Sequence, residues 1–542
     1  MITMNSIFIL ITCHSYLQNV LSWDDAGPSQ NSSAGDGPVP VRTAAKVSTA
    51  SARGRAGIGK SEISADKTKW TRIPTGNASG RRNSVNVLTE TAGPTGLAIR
   101  QVEPESPSSA LRLFVNEPMM RLVKKYTELE ARNVLSDDSW TVSLEELDAF
   151  MAILYIRGAF RYSTLPFGLM WDSKWGIQIV KDIMPRNRAV EILRFLRFDD
   201  KRTRQLRREK DKFCLVSEFW NKFIENCISY YKPSENITVD EQLYPTKVRC
   251  PFLQYMANKP DKFGIKFWVL CDSTERFVLN AIPYLGKDDA RPRNSSLGEH
   301  VVLSLCTPYL NKGRNVTCDS FFTSLRLGDE LKKKKTSLVG TLNRGRREVP
   351  PSVKNPKDPI QTTILYKTGE TVLTSYQGKV SKNVLVLSTL HTGVTISEGP
   401  KRLPESVEYY NMTKCGVDSV DQMARKYTVR AGTRRWPVHI FYNVLDLSMI
   451  NAHTMFKLVT RSNISRHRFI CKVAEELAAH HIEARCSSVA GPSRQVDAPS
   501  GRARCQIRLC KGNKTKQQCY ECKKTMCGSC QSEKKVCKLC SE

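Results

Sequence analysis

Ile237-Thr-Val-Asp240 is a run of β-branched residues closed by an acid, and Asn315-Val-Thr-Cys-Asp319 repeats the design with its acid 79 residues later. β-branched side chains are stiff at χ1 and sit well on a pleated backbone, so each run is predicted as a strand ending in a carboxylate. Between them, Ile265 to Cys271 and Phe277 to Ile282 flank the polar turn Asp272-Ser-Thr-Glu-Arg276, a hairpin signal. A helix is expected from about Leu297 to Leu310. After Asp319 come a helix closing on Lys332 to Lys335 and a strand over Leu338-Val-Gly-Thr-Leu342. Residues 344–403 read as a β-rich insertion, strongest at Thr371-Val-Leu-Thr and Val384-Leu-Val-Leu-Ser. The pattern turns helical again from Val417 and places Asp418 99 residues after Asp319.

That order predicts an α/β fold, a mixed sheet flanked by helices with ribonuclease-H-like connectivity. Residues 235–343 would form its core and 404–427 the return that carries the last acid. In such nucleotidyl transferases one acid sits on the first strand, one at the tip of the fourth, and one on a helix against the sheet. The chemistry needs carboxylates: two divalent ions about 3.5–4 Å apart clamp the attacking and leaving oxygens of an in-line displacement. Hard Mg²⁺ takes oxygen ligands rather than His or Cys. A lone Asp at a strand end is more often a turn or cap residue, so the flanking sequence has to decide.

From about residue 111 to 455 the chain resembles the piggyBac transposase family. The segments that carry the resemblance are Leu193-Arg-Phe-Leu-Arg-Phe-Asp-Asp200, Val239-Asp-Glu-Gln-Leu243, Pro251-Phe, Gln254-Tyr-Met256 and Lys259-Pro-Asp-Lys-Phe-Gly-Ile-Lys266. They continue with Asp319-Ser-Phe-Phe-Thr-Ser324, Gly340-Thr-Leu342, Val407-Glu-Tyr-Tyr-Asn411 and Cys415-Gly-Val-Asp-Ser-Val-Asp-Gln-Met423. The resemblance implies that Asp240, Asp319 and Asp418 are ligands of Mg²⁺ (or Mn²⁺), about two ions per site, with Asp421 an acid beside the third. It also implies the reaction: water frees a 3′-OH at a transposon end, a hairpin closes on the flanking strand, and the 3′-OH joins a TTAA target without a covalent enzyme intermediate. Double-stranded DNA and a second copy of the chain, as a homodimer, are then the expected partners. Ser320 stands where the family usually has Asn, and Cys415 where it has Gly. The second change is awkward if the backbone there needs positive φ.

The remaining sequence fits around this core. Residues 1–108 are rich in Ser, Gly, Ala, Pro and Thr and are expected to be a disordered arm. Residues 109–234 read as a helical dimerisation and DNA-binding region; within it Ser143-Leu-Glu-Glu146 is a capping box. A second helical DNA-binding part spans 428–485, opening at Trp436-Pro437, and 486–500 is a linker. The charge balance, 83 Lys+Arg against 53 Asp+Glu, attracts polyanions and makes nucleic acid the leading partner, with a ribosomal or anionic-membrane setting as the plainer alternative. No run approaches the roughly 18 apolar residues of a spanning helix, so no membrane partner is expected. The run Ser6 to Cys13 has the length of a signal h-region but lacks its flanks. Lys259, Lys262 and Lys266 near the first acid, and Arg344, Arg346 and Arg347 after the second, are candidate phosphate contacts. Arg202, Arg204, Arg207, Arg208, Lys210 and Lys212 read equally as a nuclear address, a DNA stripe or a charged loop.

Eight cysteines close the chain as Cys505-x4-Cys510-x8-Cys519-x2-Cys522-x4-Cys527-x2-Cys530-x6-Cys537-x2-Cys540. Paired spacing in so short a segment predicts two Zn²⁺ per chain, each with four thiolates. A cross-brace would put Cys505, Cys510, Cys527 and Cys530 on one ion and Cys519, Cys522, Cys537 and Cys540 on the other; sequential pairing is the alternative. The family uses such a module to read transposon-end DNA. Free thiols, and sequons at Asn236 and Asn315 on expected core strands, favour a reducing compartment; with DNA as partner this is the nucleus. Two other functions compete: a domesticated transposase-derived nuclear DNA-binding protein without mobility, and a zinc-dependent adaptor with an inert core.

Overall fold

Strands form on the β-branched runs and helices on the amphipathic ones, in a computed structural model that describes residues 59–76, 87–287, 291–355, 358–380 and 382–489. At the C-terminal end it describes 503–506, 510, 513–519 and 525–531. The chain divides into two units, Met1–Ala479 and His480–Glu542. The first begins with β1 (Ser61–Ile63), β2 (Lys69–Ile73) and β3 (Gly93–Pro94). Helices α1 (Gly96–Gln101), α2 (Pro107–Arg112), α3 (Glu117–Leu135), α4 (Leu144–Ala159), α5 (Gln178–Ile183), α6 (Arg186–Phe195), α7 (Arg204–Lys210) and α8 (Ser217–Tyr230) follow. Next come β4 (Tyr231–Lys232), β5 (Asn236–Pro245), β6 (Leu253–Tyr255), β7 (Phe263–Asp272), β8 (Val278–Pro283), α9 (Leu297–Cys306), β9 (Asn315–Cys318), α10 (Leu325–Lys333) and β10 (Ser337–Thr341). Then α11 (Pro351–Lys354), β11 (Thr363–Thr368), β12 (Thr371–Lys379) and β13 (Lys382–Ser388) lead to α12 (Glu405–Thr413), α13 (Gly416–Lys426), α14 (Trp436–Thr460) and α15 (Arg466–Val489).

The core strands lie in the order β8-β7-β5-β9-β10. β7 is antiparallel to β5 and β8, and β9 is parallel to β5 and β10. This is the ribonuclease-H-like arrangement. Its middle is dry: Ile237, Val239, Leu270, Val316 and Leu338 have no exposed surface. The stretch 344–403 extends the same sheet, with β13 antiparallel to β10 and β12 and β11 beyond it. Among the described residues the sheet reaches eleven strands. Ser143 and Glu146 form the expected capping box at the start of α4. No helix of the described residues is long and apolar enough to cross a membrane.

The expected disordered arm over residues 1–108 needs correction. β2 pairs antiparallel with β11 at the sheet edge, and Trp70 is fully buried with its indole N–H donating to Glu348 O at 2.8 Å. A single large side chain anchors this strand, so its Ser- and Gly-rich surroundings concealed it from a compositional reading. Residues 87–95 then cross the core as a strap. Thr89 N donates to Lys312 O, β3 pairs with β4, and a Cβ on Gly313 (φ +80°) would stand 2.0 Å from Val87 O. Arg314 has a fully buried side chain and donates to Glu90 Oε1 at 2.5 Å and to Pro233 O at 2.9 Å. Residues 1–58 and 77–86 lie outside the described residues.

Glu90→Gln would leave the Arg314 guanidinium buried against carbonyl groups alone. It is expected to lower the unfolding free energy by about 3 kcal/mol, read as a fall in the urea midpoint at unchanged m-value. A wild-type midpoint would show that the carbonyls satisfy Arg314 unaided.

Candidate active site

The parallel register aligns Val239 of β5 with Cys318 of β9. The next residue in each segment is an acid, Asp240 within β5 and Asp319 just past β9, so the two are neighbours on strands about 4.8 Å apart. Backbone N–H groups fix their oxygens: Glu241 N donates to Asp240 Oδ1 at 2.8 Å, and Phe321 N donates to Asp319 Oδ1 at 3.0 Å. Burial, then the Glu241 carboxylate, and more weakly Asp319, push Asp240 up to about 8. Burial raises Asp319 too, and Glu241 adds to it. Glu241 is therefore a third acid at this point of the sheet, half-buried and ion-paired to Lys259 across 3.6 Å. Motif reading passed over it as flanking sequence; its signal was adjacency to Asp240.

α13 lies over the same face of β5. Gly416 comes so close to the strand that a Cβ would stand 3.0 Å from Thr238 Oγ1, and farther along β5 Gln242 hydrogen-bonds to Asp421. Between those contacts the helix crosses the level of Asp240. Asp418 projects from its first turn, exposed and without a side-chain hydrogen bond or ion pair. Asp421, one turn on, is half-buried and held by Arg425 (Nε–Oδ2 3.1 Å), which also pairs with Asp261. Burial raises the Asp421 pKa against the opposing pull of Arg425. Among the described residues no three carboxylates have oxygens all within 4.8 Å of one another. Asp240 and Asp319 form the pair, and Asp418 stands apart from it. Cys415 has φ −84°, so its Cβ causes no backbone strain.

The donor set suits a hard divalent cation, being oxygen only, and such a charge would relieve the repulsion that raises Asp240. Of the basic candidates, Lys266 is half-buried with Nζ 3.8 Å from the Trp268 ring centroid. Burial lowers its pKa, opposed by Glu241, Asp240 and Asp319 in that order. Arg346 donates to Phe321 O at 3.1 Å and so brackets the loop after Asp319. Lys262 and Arg344 are exposed, and Arg347 reaches Ala65 O beside the N-terminal hairpin. Arg204 and Arg207 clamp the buried Asp199, which gives that basic run a structural task. Sequence reading missed Lys247, Arg249, Arg430 and Arg434, which line an open cleft of about 1040 Å³. A smaller one of about 210 Å³ shares Pro245 and Arg430 with it and reaches Asp421. The available signal was the alternation of Lys247 and Arg249 just past the first acid strand.

In the C-terminal unit, the Sγ atoms of Cys505, Cys510, Cys527 and Cys530 lie within 4.8 Å of one another, the first group of the cross-brace. Cys510 and Cys527 Sγ are 3.5 Å apart, near the roughly 3.8 Å that Zn–S bonds of 2.3 Å span in a tetrahedron. Desolvation works to raise Cys527, but hydrogen bonds from Cys510 and then Cys530 and Asn513 draw it down to about 6. Burial and the neighbouring thiols push Cys530 up to about 12. Four sulfur donors held this close together fit a zinc ion. Cys519 is buried, while Cys522, Cys537 and Cys540 lie outside the described residues.

Residues 106–453 match the family described as Transposase IS4. Human PiggyBac transposable element-derived protein 3 is 22% identical over 403 residues, covering 68% of this chain and 65% of its own. Human PiggyBac transposable element-derived protein 2 is 23% identical over 377 residues, covering 65% and 62%. The chain thus spans just under two thirds of the length of these curated relatives. The cryo-EM structure of a piggyBac transposase synaptic complex with hairpin DNA is 28% identical, with a TM-score of 0.73, over 83% of this chain and 100% of that one.

The folded pKa of Asp240 lies above its ordinary 3.8. The stability it contributes is therefore complete below about pH 4 and lost as pH rises towards 8. Metal-free protein is expected to lose stability over that range at up to about 1.4 kcal/mol per pH unit. Asp240→Asn should flatten the slope, and millimolar Mg²⁺ should reduce it. Identical slopes for wild type and Asp240→Asn in urea titrations would refute the coupling.

Proposed function

We propose that this chain, which belongs to the piggyBac transposase family, is a cut-and-paste DNA transposase that cleaves transposon ends and joins them to TTAA targets. The observation that carries the reading is the juxtaposition of Asp240, midway along β5, with Asp319, just past the end of the parallel strand β9. Asp418 lies on the helix that crosses them. Divalent ions held there, Mg²⁺ or Mn²⁺ and about two per site, would supply charge neutralisation for in-line displacement. The residues do the rest. Backbone N–H groups of Glu241 and Phe321 keep the two carboxylates aimed, Lys266 and Arg346 hold the reacting phosphate, and the basic cleft takes the duplex. Water opens the phosphodiester and leaves a 3′-OH; that oxygen attacks the opposite strand, closing a hairpin and releasing the flanking DNA with its own 3′-OH. A second water reopens the hairpin, and the regenerated 3′-OH attacks the target phosphodiester, displacing a target 3′-OH. Each step exchanges one P–O bond for another, so no covalent enzyme intermediate is needed. The relative solved as a synaptic complex with hairpin DNA supports the hairpin step.

Joining two ends calls for a homodimer, and chromosomal DNA places the work in the nucleus. The cysteine module, with two Zn²⁺ per chain, would read the end sequence. A second reading, a domesticated nuclear DNA-binding protein without mobility, is favoured by curated relatives that are themselves transposable element-derived.

Asp240→Ala, Asp319→Ala and Asp418→Ala are each expected to abolish Mg²⁺-dependent nicking of the cognate end while DNA binding persists. Wild-type nicking by any one of them would remove that residue from the site. A wild-type chain that binds the end and never nicks it would favour the domesticated reading.

The zinc module predicts about two Zn²⁺ per reduced chain by atomic absorption. A chain ending near residue 495 should lose discrimination between end and random DNA but keep weak, salt-sensitive binding. Zinc near zero, or unchanged discrimination, would leave the module without a part in recognition.

A further inference from the structure

Large hydrophobic side chains at the surface are common, and most carry no information. Phe321 differs from the other exposed aromatics in where it is held. The residue is 46% exposed, and its ring stacks on Trp268 with centroids 5.3 Å apart and planes 17° from parallel. Trp268 itself is only 3% exposed. The neighbouring Phe322 is fully buried and meets both rings edge-on. The first turn of α9 closes on the backbone from the other side, where a Cβ on Gly298 would stand 2.9 Å from Phe321 O. Trp268 and Phe322 beneath the ring are buried, yet nearly half of Phe321 is left to solvent.

The same residue touches the acid. Phe321 N donates to Asp319 Oδ1, so the exposed ring is held at a set distance from that carboxylate. Positive charge surrounds it: Lys266 Nζ is 5.6 Å from the ring centroid, and Arg346 donates to Phe321 O. A rigid aromatic plane flanked by cations is the arrangement that binds unpaired nucleic acid, with the ring taking a base and the cations the backbone.

We propose that Phe321, backed by Trp268, is a stacking platform for an unpaired nucleobase next to the phosphate that reacts at Asp240 and Asp319. The inference rests on the strand-cleavage reading. In this arrangement the base beside the reacting phosphate leaves the stack as the phosphate enters the site. The platform replaces the lost stacking and offsets the cost of opening the pair. Backbone and side chain have separate tasks here: the N–H aims Asp319, and the ring receives the base. Substituting the ring therefore leaves the Asp319 hydrogen bond in place.

The test uses a duplex with a single-stranded TTAA overhang in which one adenine is 2-aminopurine, whose fluorescence is quenched by stacking. Wild type and Phe321→Trp are expected to quench it on binding. Phe321→Ala and Phe321→Leu should not, and should bind the overhang roughly 5- to 150-fold more weakly, with affinity for blunt duplex unchanged. On a fully paired end, Mg²⁺-dependent nicking by Phe321→Ala should slow, and a mismatch at the flanking base pair should restore it. Equal quenching by Phe321→Ala, or a nicking defect that the mismatch does not rescue, would overturn the proposal. If wild type nicks no end at all, the strand-cleavage reading fails, while quenching of the overhang still decides the platform.

Discussion

Val239 faces Cys318 because β5 and β9 run parallel in a single register, and the placement of every acid follows from that alignment. A slip of one residue on either strand would turn one carboxylate to the opposite face of the sheet. The alignment is held from several sides. β7 pairs with β5 along its whole length, β10 continues the parallel order beyond β9, and Gly416 lets α13 settle directly on Thr238. A Cβ there would crowd Thr238 Oγ1 at 3.0 Å, so the helix that brings Asp418 is fitted closely to the strand that carries Asp240.

The site built on this register opposes its own stability. Glu241 raises both Asp240 and Asp319, and Asp319 raises Asp240, where burial already disfavours charge. Such an arrangement persists only where the surroundings determine it more firmly than local energy does. Behind the basic cleft the same policy recurs. Arg157, with no exposed surface, donates to Arg430 O at 3.1 Å and Leu165 O at 2.5 Å. Asp446, pushed up to about 7 by burial, accepts from Thr428 Oγ1 and Val429 N. Two buried ionisable groups thus position the short segment between α13 and α14, and with it Arg430.

The acid-bearing strands, the hairpin and the last helix were legible because β-branching, turn chemistry and acid spacing are local properties. Trp70 was not, since its strand joins the main sheet through residues nearly three hundred positions away. Glu241 was invisible for another reason: beside a residue already assigned, an acid reads as context until burial shows that the two share one field. Arg430 and Arg434 follow no pattern of their own and gain meaning only where the fold brings them to Lys247 and Arg249. Charge clusters in sequence can also mislead, as Arg204 and Arg207 show by turning inward on Asp199.

The pairing of β2 with β11 has a consequence for how the chain is made. Thr71 meets Lys367, and Trp70 meets Glu348. At about 5–20 residues per second, a ribosome needs roughly 15–60 s to reach the second member of each pair after the first has emerged. Throughout that interval a strand with an unpaired edge and a bare tryptophan waits outside the tunnel, as does the strap whose Glu90 is 224 positions ahead of Arg314. The edge of the sheet therefore closes only after Lys367 has been made, and the yield of folded protein depends on what shields β2 and the strap during that interval.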